Sequence, residues 1–337
     1  MGAVLCRRQA GAAEAILEDV EMARPAATAP RDLLVRIEAA SLNPIDRKRR
    51  AARPLLDPTG AVLGWSAVGV VEETGTGVRR FVPGQRIWYA GASERPGSFA
   101  EFQLVDERIA GRAPTGLAAE QAAAMPLAGL TAAEALYDHL SIDRAGPGHV
   151  ILINGGGGAV ASLAVQLARR NPAVEIIATA GSPQSREWLL HVGADHVVGH
   201  RICLWQQVRQ LGCPAPRSII SMYTNKRSWE SYIAMLQPFG HICLADHPGT
   251  LDIGAARAKS LTLHWQAMFT RPAHLGEASC RQGELLAELA RLCDERAITP
   301  FPVRPAAPLS AASVAAAMDQ QQNGGPRPVF VPQSRMN

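Results

Sequence analysis

The part of the chain that decides the fold is residues 149–161, which read HVILINGGGGAVA. Residues 149–153 form an almost continuous apolar run, which is typical of a strand buried on both faces of a parallel sheet. Gly155–Gly158 follow directly, and an apolar helix is predicted from Ala159 to about Arg170. A glycine-rich turn between a buried strand and a helix is a place where backbone N–H groups can bind a diphosphate.

The alternation of short apolar strands with helices continues after this turn, and it predicts a doubly wound α/β domain. The further strands are expected at 174–178, 196–198, 218–222 and 241–245, and the helices at 185–192 and 228–236.

The chain before this domain has a different pattern. Short β-like runs separated by Gly and Pro predict a small, mostly β barrel or sandwich; they lie at 33–39, 67–71, 86–89 and 99–105. Two Ala-rich helices joined near Pro126 are expected within 117–140. The region after about residue 262 is too short to fold alone, so it is expected to return to the first domain. The predicted boundaries are 1–118, 119–262 and 263–337.

Composition narrows the class of protein. The 337 residues suit two domains, and 34 basic minus 30 acidic residues leave a net charge of +4, which does not call for nucleic acid as a partner. The six cysteines are scattered without a C-x-x-C pair, as expected in a reducing compartment. We find neither a secretory h-region near the start nor an apolar stretch of membrane-spanning length, and therefore expect a soluble cytoplasmic protein with no membrane partner.

The predicted dinucleotide site is built around Gly155, Gly158 and Ala161, which follow a G-x-x-G-x-x-A spacing. A turn that merely connects strand to helix is the alternative. The predicted contacts are Gly155, Gly156, Gly157, Gly158, Ala159, Val160 and Ala161 at the turn, Thr179, Gly181, Ser182 and Arg186 after the second strand, and Ser221, Met222 and Tyr223 after the fourth.

The second strand indicates which cofactor binds. An NAD site usually has a carboxylate at the carboxyl end of this strand, but Glu175 lies at its beginning. The strand ends near Thr179 and Ser182, and Arg186 follows, so a 2′-phosphate would meet a hydroxyl and a guanidinium. NADPH is therefore expected rather than NADH, unless Arg186 is only a solvated surface residue.

Several ordered motifs extend the pattern over nearly the whole chain. They are residues 41–48, 63–71, 81–87, 95–102, 124–132, 192–197 and 259–269. On their basis the chain resembles the medium-chain dehydrogenase/reductase superfamily, specifically its zinc-free quinone oxidoreductase-like branch, often called zinc-type alcohol dehydrogenase-like. The resemblance implies a GroES-like catalytic domain over 1–118, a Rossmann domain over 119–262, a last segment that rejoins the first domain, a substrate site in a cleft and a homodimer joined through the Rossmann sheets.

The resemblance also allows a test for zinc. The superfamily's catalytic zinc needs a cysteine where this chain has Asn43 and a histidine where it has Trp65. The structural zinc lobe needs four closely spaced cysteines, and none lies between Cys6 and Cys203. No metal is therefore expected.

Without a Lewis acid, hydride transfer to a quinone or an α,β-unsaturated carbonyl is easier than alcohol oxidation. Asn43 is the first candidate for contact with substrate or oxyanion, or else an Asx-turn residue. Tyr89 can donate a phenolic proton, or it is a buried barrel residue. Asp46 and Trp65 are placed in the substrate cleft, with a surface ion pair and a core position as their alternatives.

Two departures from the family pattern support a rival function. The family usually has glycine at Ala159 and Ala161, and an added methyl group at Ala159 can crowd a diphosphate. The alternative is a member that keeps the fold with weakened or lost cofactor binding and serves as a binding protein or a non-redox biosynthetic enzyme.

Overall fold

The computed structural model describes residues 1–7, 15–52, 60–200, 203–274, 276–320 and 325–333. The chain divides into two compact units, one formed by Met1–Leu130 with Phe269–Asn337 and the other by Thr131–Met268. The sequence analysis placed the divisions after residues 118 and 262.

Strands account for both sheets of the first unit and the single sheet of the second. In chain order they are β1 Gly2–Arg7, β2 Ile16–Glu21, β3 Asp32–Ser41, β4 Ala61–Val62, β5 Ala67–Thr74, β6 Arg86–Tyr89, β7 Phe102–Asp106, β8 Ala110–Arg112, β9 His149–Asn154, β10 Val174–Ala180, β11 His196–Gly199, β12 Ser218–Ser221, β13 His241–Leu244, β14 Thr262–Trp265, β15 Ala307–Pro308 and β16 Val329–Val331.

The α-helices begin and end as follows: α1 Pro44–Ala52, α2 Ala119–Ala123, α3 Pro126–Ala133, α4 Ala159–Ala168, α5 Pro183–His191, α6 Leu204–Gln210, α7 Lys226–Met235, α8 Thr270–His274, α9 Cys280–Asp294 and α10 Ala311–Gln320. Pro126 begins α3, where its missing N–H costs nothing, which explains the predicted break between two helices.

The first unit is built around the long strand β3. A three-stranded sheet has the order β2-β1-β4, and a second sheet has the order β15-β16-β3-β5-β6-β8, with β7 also paired to β3. The carboxyl-terminal strand β16 pairs with β3, and Phe330 on β16 packs edge-on against Phe99 at 5.6 Å between ring centroids. Chain ends that are distant in sequence therefore share one apolar core.

The second unit is a doubly wound sheet. Its six strands are parallel and have the order β11-β10-β9-β12-β13-β14, with β9 and β12 adjacent where the order reverses. Val150–Ile153 are fully buried, as predicted for a strand covered on both faces. The sequence did not predict β14, because its exposed and half-buried residues give no apolar run. The predicted α/β class, a β-rich domain with a doubly wound domain, is confirmed.

Candidate functional site

The glycine turn connects β9 to α4. Gly158 is the N-cap of α4, and no side chain caps the helix. The first hydrogen bond of the helix runs from Ser162 N–H to the Gly158 carbonyl, 2.9 Å. The N–H groups of the preceding residues therefore remain directed out of the helix end, where the helix dipole favours an anion.

Close packing explains why the turn needs glycine at its start. A Cβ on Gly155 would lie 2.3 Å from Met222 Cε, which would force the methionine side chain to move, and 3.0 Å from the Ala161 methyl group, which is a tight contact. Gly156 has φ of +61°, in the left-handed region that favours glycine. Small residues thus let helix and strands meet below the turn while its backbone remains accessible.

Ala159 and Ala161 carry the two methyl groups that the family usually lacks. Ala159 is the first residue of α4 and has ordinary helical backbone, and each alanine is only 1% exposed. Both methyl groups are therefore buried rather than exposed at the turn.

A buried polar network lies below the turn and centres on Asn154. Its Nδ2 donates to Tyr232 Oη (2.5 Å), to the Tyr223 carbonyl (2.9 Å) and to Ser221 Oγ (3.2 Å). Its Oδ1 accepts from Thr179 Oγ1 at 2.9 Å, and the same hydroxyl lies 3.4 Å from Gly156 N–H. One amide thus ties together the carboxyl ends of three neighbouring strands.

This network places two of the predicted contacts below the surface. Thr179 and Ser221 are fully buried, and their hydroxyl groups are used inside the network. Met222 is half-buried against the turn, whereas Tyr223 is 65% exposed at the sheet edge. The network thus supports the turn from beneath. Met222 and Tyr223, which follow Ser221 in the chain, are the accessible residues at this strand end.

The end of β10 has a polar rim. Ser182 caps α5 by accepting from Ser185 N–H at 3.2 Å. The exposed Arg186 donates through Nη1 to the carbonyl of Val197 on β11. The His200 ring lies beside Gly181, since a Cβ there would be 2.4 Å from His200 Cε1. Sequence reasoning missed His200, although its position just after the third strand was a signal that could have found it.

In the first unit, Asn43 precedes α1 and is fully buried. Its Nδ2 donates to the Ser41 carbonyl at 3.1 Å, which fixes the orientation of the amide, because a carbonyl oxygen cannot take that place. Its Oδ1 is buried, with no hydrogen-bond partner among the described residues. Asn43 therefore carries a buried acceptor that is unsatisfied within the described chain.

Asp46 anchors the loop that carries Asn43. Oδ2 accepts from Asn43 N–H at 2.7 Å and Oδ1 from Gly64 N–H at 3.0 Å. Burial raises the pKa of Asp46 to about 7, although these two hydrogen bonds and the charge of the buried Arg327 favour the ionised form. The carboxyl group thus joins two loops from inside the unit.

Tyr89 and Trp65 are also buried in this unit. Burial raises the pKa of the Tyr89 phenol, so the phenol stays protonated, and within the described chain its hydroxyl lacks a hydrogen-bond partner. Trp65 packs edge-on against Phe269 and donates to the Ala92 carbonyl at 3.3 Å. A cavity of about 120 Å³ lies beside Trp65, and Arg49 and Ser93 are among its lining residues.

Comparison with known proteins gives the family. Residues 29–125 match the alcohol dehydrogenase GroES-like domain and residues 159–265 the zinc-binding dehydrogenase family. A zinc-type alcohol dehydrogenase-like protein of Staphylococcus aureus strain Mu50 is 34% identical over 264 residues, 77% of this chain and 78% of the relative. The chain belongs to the medium-chain dehydrogenase/reductase superfamily. It is an oxidoreductase of that superfamily.

Solved structures agree with this membership. A protein from Rhizobium etli CFN 42 described as a zinc-dependent alcohol dehydrogenase is 36% identical, with 99% of both chains covered and a TM-score of 0.90. The Escherichia coli quinone oxidoreductase complexed with NADPH shares the superfamily fold at 22% identity, covering 98% of this chain and 100% of that one, with a TM-score of 0.79. In the described part of the chain, every helix is too short or too polar to cross a bilayer.

Proposed function

We propose that this superfamily member is an NADPH-dependent, metal-independent reductase that transfers hydride to a quinone or an α,β-unsaturated carbonyl. The observation that carries the proposal is the uncapped amino-terminal end of α4 above the crowded Gly155 turn. A diphosphate matches both its charge and its accessible backbone. When bound, NADPH supplies the hydride.

The same turn separates the reductase from the rival function. Loss of cofactor binding would require the Ala159 methyl group to obstruct the diphosphate, but Ala159 is only 1% exposed, so its methyl group is buried. The chain's own residues therefore fit the cofactor, and we favour the redox enzyme. Saturable quenching of protein fluorescence by NADPH, followed by NADPH oxidation with a quinone or an enone, is the direct test; absence of binding at millimolar NADPH would leave the rival function.

The residues at the superfamily's catalytic zinc position do not fit zinc. Asn43 offers an amide whose Nδ2 is bonded to Ser41, and Trp65 offers an indole N–H that donates to Ala92. Neither group is among the thiolate, imidazole and carboxylate ligands that bind zinc in proteins. The proposed reaction therefore uses no metal at this position.

In the proposed reaction, Asn43 accepts a hydrogen bond from cofactor or substrate and Tyr89 supplies the proton. Asn43 Oδ1 is a buried acceptor without a partner among the described residues, so an N–H or O–H donor that reaches it would satisfy it, and Asp46 holds the Asn43 backbone in place. Tyr89 is the proposed proton donor to the carbonyl oxygen that gains negative charge as the β-carbon receives hydride, although burial raises the pKa of the phenol and so weakens it as an acid.

Tyr89→Phe tests this assignment. Among the described residues the hydroxyl has no hydrogen-bond partner to lose, so we expect stability to change little, whereas kcat for an enone should fall about 10²- to 10⁴-fold if the phenol donates the proton. Steady-state kinetics and thermal unfolding measure the two effects. An unchanged kcat would assign Tyr89 to the barrel core alone.

Arg186→Glu tests the cofactor preference. A carboxylate in place of the guanidinium should lower the preference for NADPH over NADH by about 10- to 100-fold, because a charge-assisted hydrogen bond to the 2′-phosphate is replaced by repulsion. Fluorescence titrations with both cofactors measure the ratio of dissociation constants.

Arg170→Glu is the matched control. Arg170 is exposed just beyond the opposite end of α4, and its substitution by glutamate changes the net charge by the same amount. An equal loss of preference in this control, or no loss in Arg186→Glu, would contradict a 2′-phosphate contact.

We also propose a homodimer joined through β14. This strand ends the six-stranded sheet, and Trp265 on it is 53% exposed, so a second β14 can extend the sheet and cover an indole. Light scattering tests the proposal. We expect the wild type to be a dimer and Trp265→Lys to be a monomer. A monomeric wild type would overturn it.

A further inference from the structure

Three side chains with metal-binding atoms converge in the second unit, apart from the glycine turn. They are Glu175, His196 and Cys213, and their candidate ligand atoms all lie within 4.8 Å of one another. His196 Nε2 is 2.9 Å from Glu175 Oε1, and the Cys213 thiol also hydrogen-bonds with Glu175. An imidazole, a thiol and a carboxylate thus lie side by side in one cluster.

The topology explains why they meet. Glu175 is the second residue of β10 and His196 the first of β11, and the parallel register pairs His196 with Ile177. Glu175 and Ile177 lie on the same face of β10, because side chains alternate along a strand. Cys213 comes from the loop between α6 and β12.

This cluster lies at the edge where strands begin, whereas the glycine turn lies at the edge where they end. It is therefore separate from the proposed cofactor site, and it gives a role to Glu175, which lies at the wrong end of its strand to hold a ribose. It is equally separate from the superfamily's zinc position at Asn43 and Trp65, which belongs to the other unit.

We propose that Glu175, His196 and Cys213 bind one Zn²⁺ ion, with water in the fourth position. Thiolate, imidazole and carboxylate are the ligand types that zinc prefers, and the two negative ligands balance the charge of the ion. Ligands around a tetrahedral zinc ion lie roughly 3 to 4 Å apart, so atoms already within 4.8 Å need only small side-chain rotations. His196 and Glu175 are each 33% exposed, which leaves a path for the ion.

Cobalt(II) is the probe for this site. The full-length chain, freed of metal with a chelator, is titrated with Co²⁺ and then with Zn²⁺. We expect saturation at one equivalent, a near-ultraviolet charge-transfer band from the thiolate–cobalt bond, loss of the band when Zn²⁺ displaces Co²⁺, and a higher Tm with Zn²⁺.

The variants identify the ligands. Cys213→Ser should abolish the band, and His196→Gln and the nearly isosteric Glu175→Gln should each weaken Co²⁺ binding by at least about tenfold. Cys203→Ser, which removes another half-buried cysteine nearby in the chain, should change nothing. An NADPH titration of each variant checks that the fold is intact independently of metal.

Two results would overturn the proposal: no saturable Co²⁺ or Zn²⁺ binding by the wild type, or a band that survives in Cys213→Ser. Either would mean that the three side chains form only a hydrogen-bonded cluster.

Discussion

Replacing Gly158 with Asp is expected to raise the Kd for NADPH by about 100- to 1,000-fold while leaving the fold intact. Gly158 has φ of −77° and ψ of 164°, which any residue adopts, and a Cβ there meets only the Gly155 carbonyl oxygen at 3.4 Å. An N-cap aspartate accepts hydrogen bonds from the first N–H groups of α4, which stabilises the helix. The aspartate carboxylate then occupies the N–H groups that the diphosphate needs. It also repels the negative diphosphate, with a repulsion energy of about 4 kcal/mol for two unit charges 4 Å apart.

Gly158→Asn is the control for this experiment, because asparagine caps the helix equally well without a charge. The difference in NADPH affinity between the two variants therefore measures the electrostatic part of the effect, and Tm values at or above that of the wild type establish that both fold. Equal affinities for NADPH in the wild type and Gly158→Asp would place the diphosphate elsewhere and overturn the proposed cofactor site.

Asp46→Asn is expected to change the pH dependence of stability. The carboxyl group has a pKa of about 7 in the folded protein against its usual 3.8, so the folded state holds this proton more tightly than the unfolded state. Its contribution to stability is fully present below about pH 4 and is lost as the pH rises through 7, up to ~4 kcal/mol in the free energy of unfolding. Asparagine does not titrate, so the variant lacks this loss.

At low pH the two proteins should have similar stability, because the protonated carboxyl group, like the amide, offers one carbonyl oxygen to the N–H groups of Asn43 and Gly64. Urea unfolding at several pH values should then show the wild type losing stability relative to the variant as the pH rises from about 4 to 7. A gap that stays constant from pH 4 to 8 would contradict the raised pKa.

Asp106→Asn provides a control with the opposite sign. Burial tends to raise the pKa of Asp106, but hydrogen bonds from Arg108 outweigh it and lower the pKa. Its contribution is present above the usual pKa of aspartate and is lost as the pH falls, so the stability gap between this variant and the wild type should widen with increasing pH.

The sequence predicted the parallel sheet and its turn because both depend on local patterns. An apolar strand followed by glycines and a helix is compatible with few structures other than a buried parallel strand and its turn. The strand β14 escaped prediction for the converse reason: it lies at the edge of the sheet and is held by pairing with β13, so it needs no apolar run.

The site was harder to predict from the sequence, because the directions of the side chains determine which residues line it. Thr179 and Ser221 lie at the predicted strand ends, yet their hydroxyl groups turn inward to Asn154. Asn154 was not predicted as a hub, since no local pattern shows that its amide reaches two neighbouring strands. His200 approaches Gly181 through the pairing of β10 with β11, which only the folded sheet reveals.

The Asn154 network also has a consequence for protein engineering. Ser182 and Arg186, which are proposed to face the 2′-phosphate, and the nearby His200 stand outside this network on the rim. We therefore expect that coenzyme choice can be redesigned by exchanging the rim side chains. A library that randomises Asn154 or its partners would instead yield mostly proteins that have lost the hydrogen bonds between their strand ends.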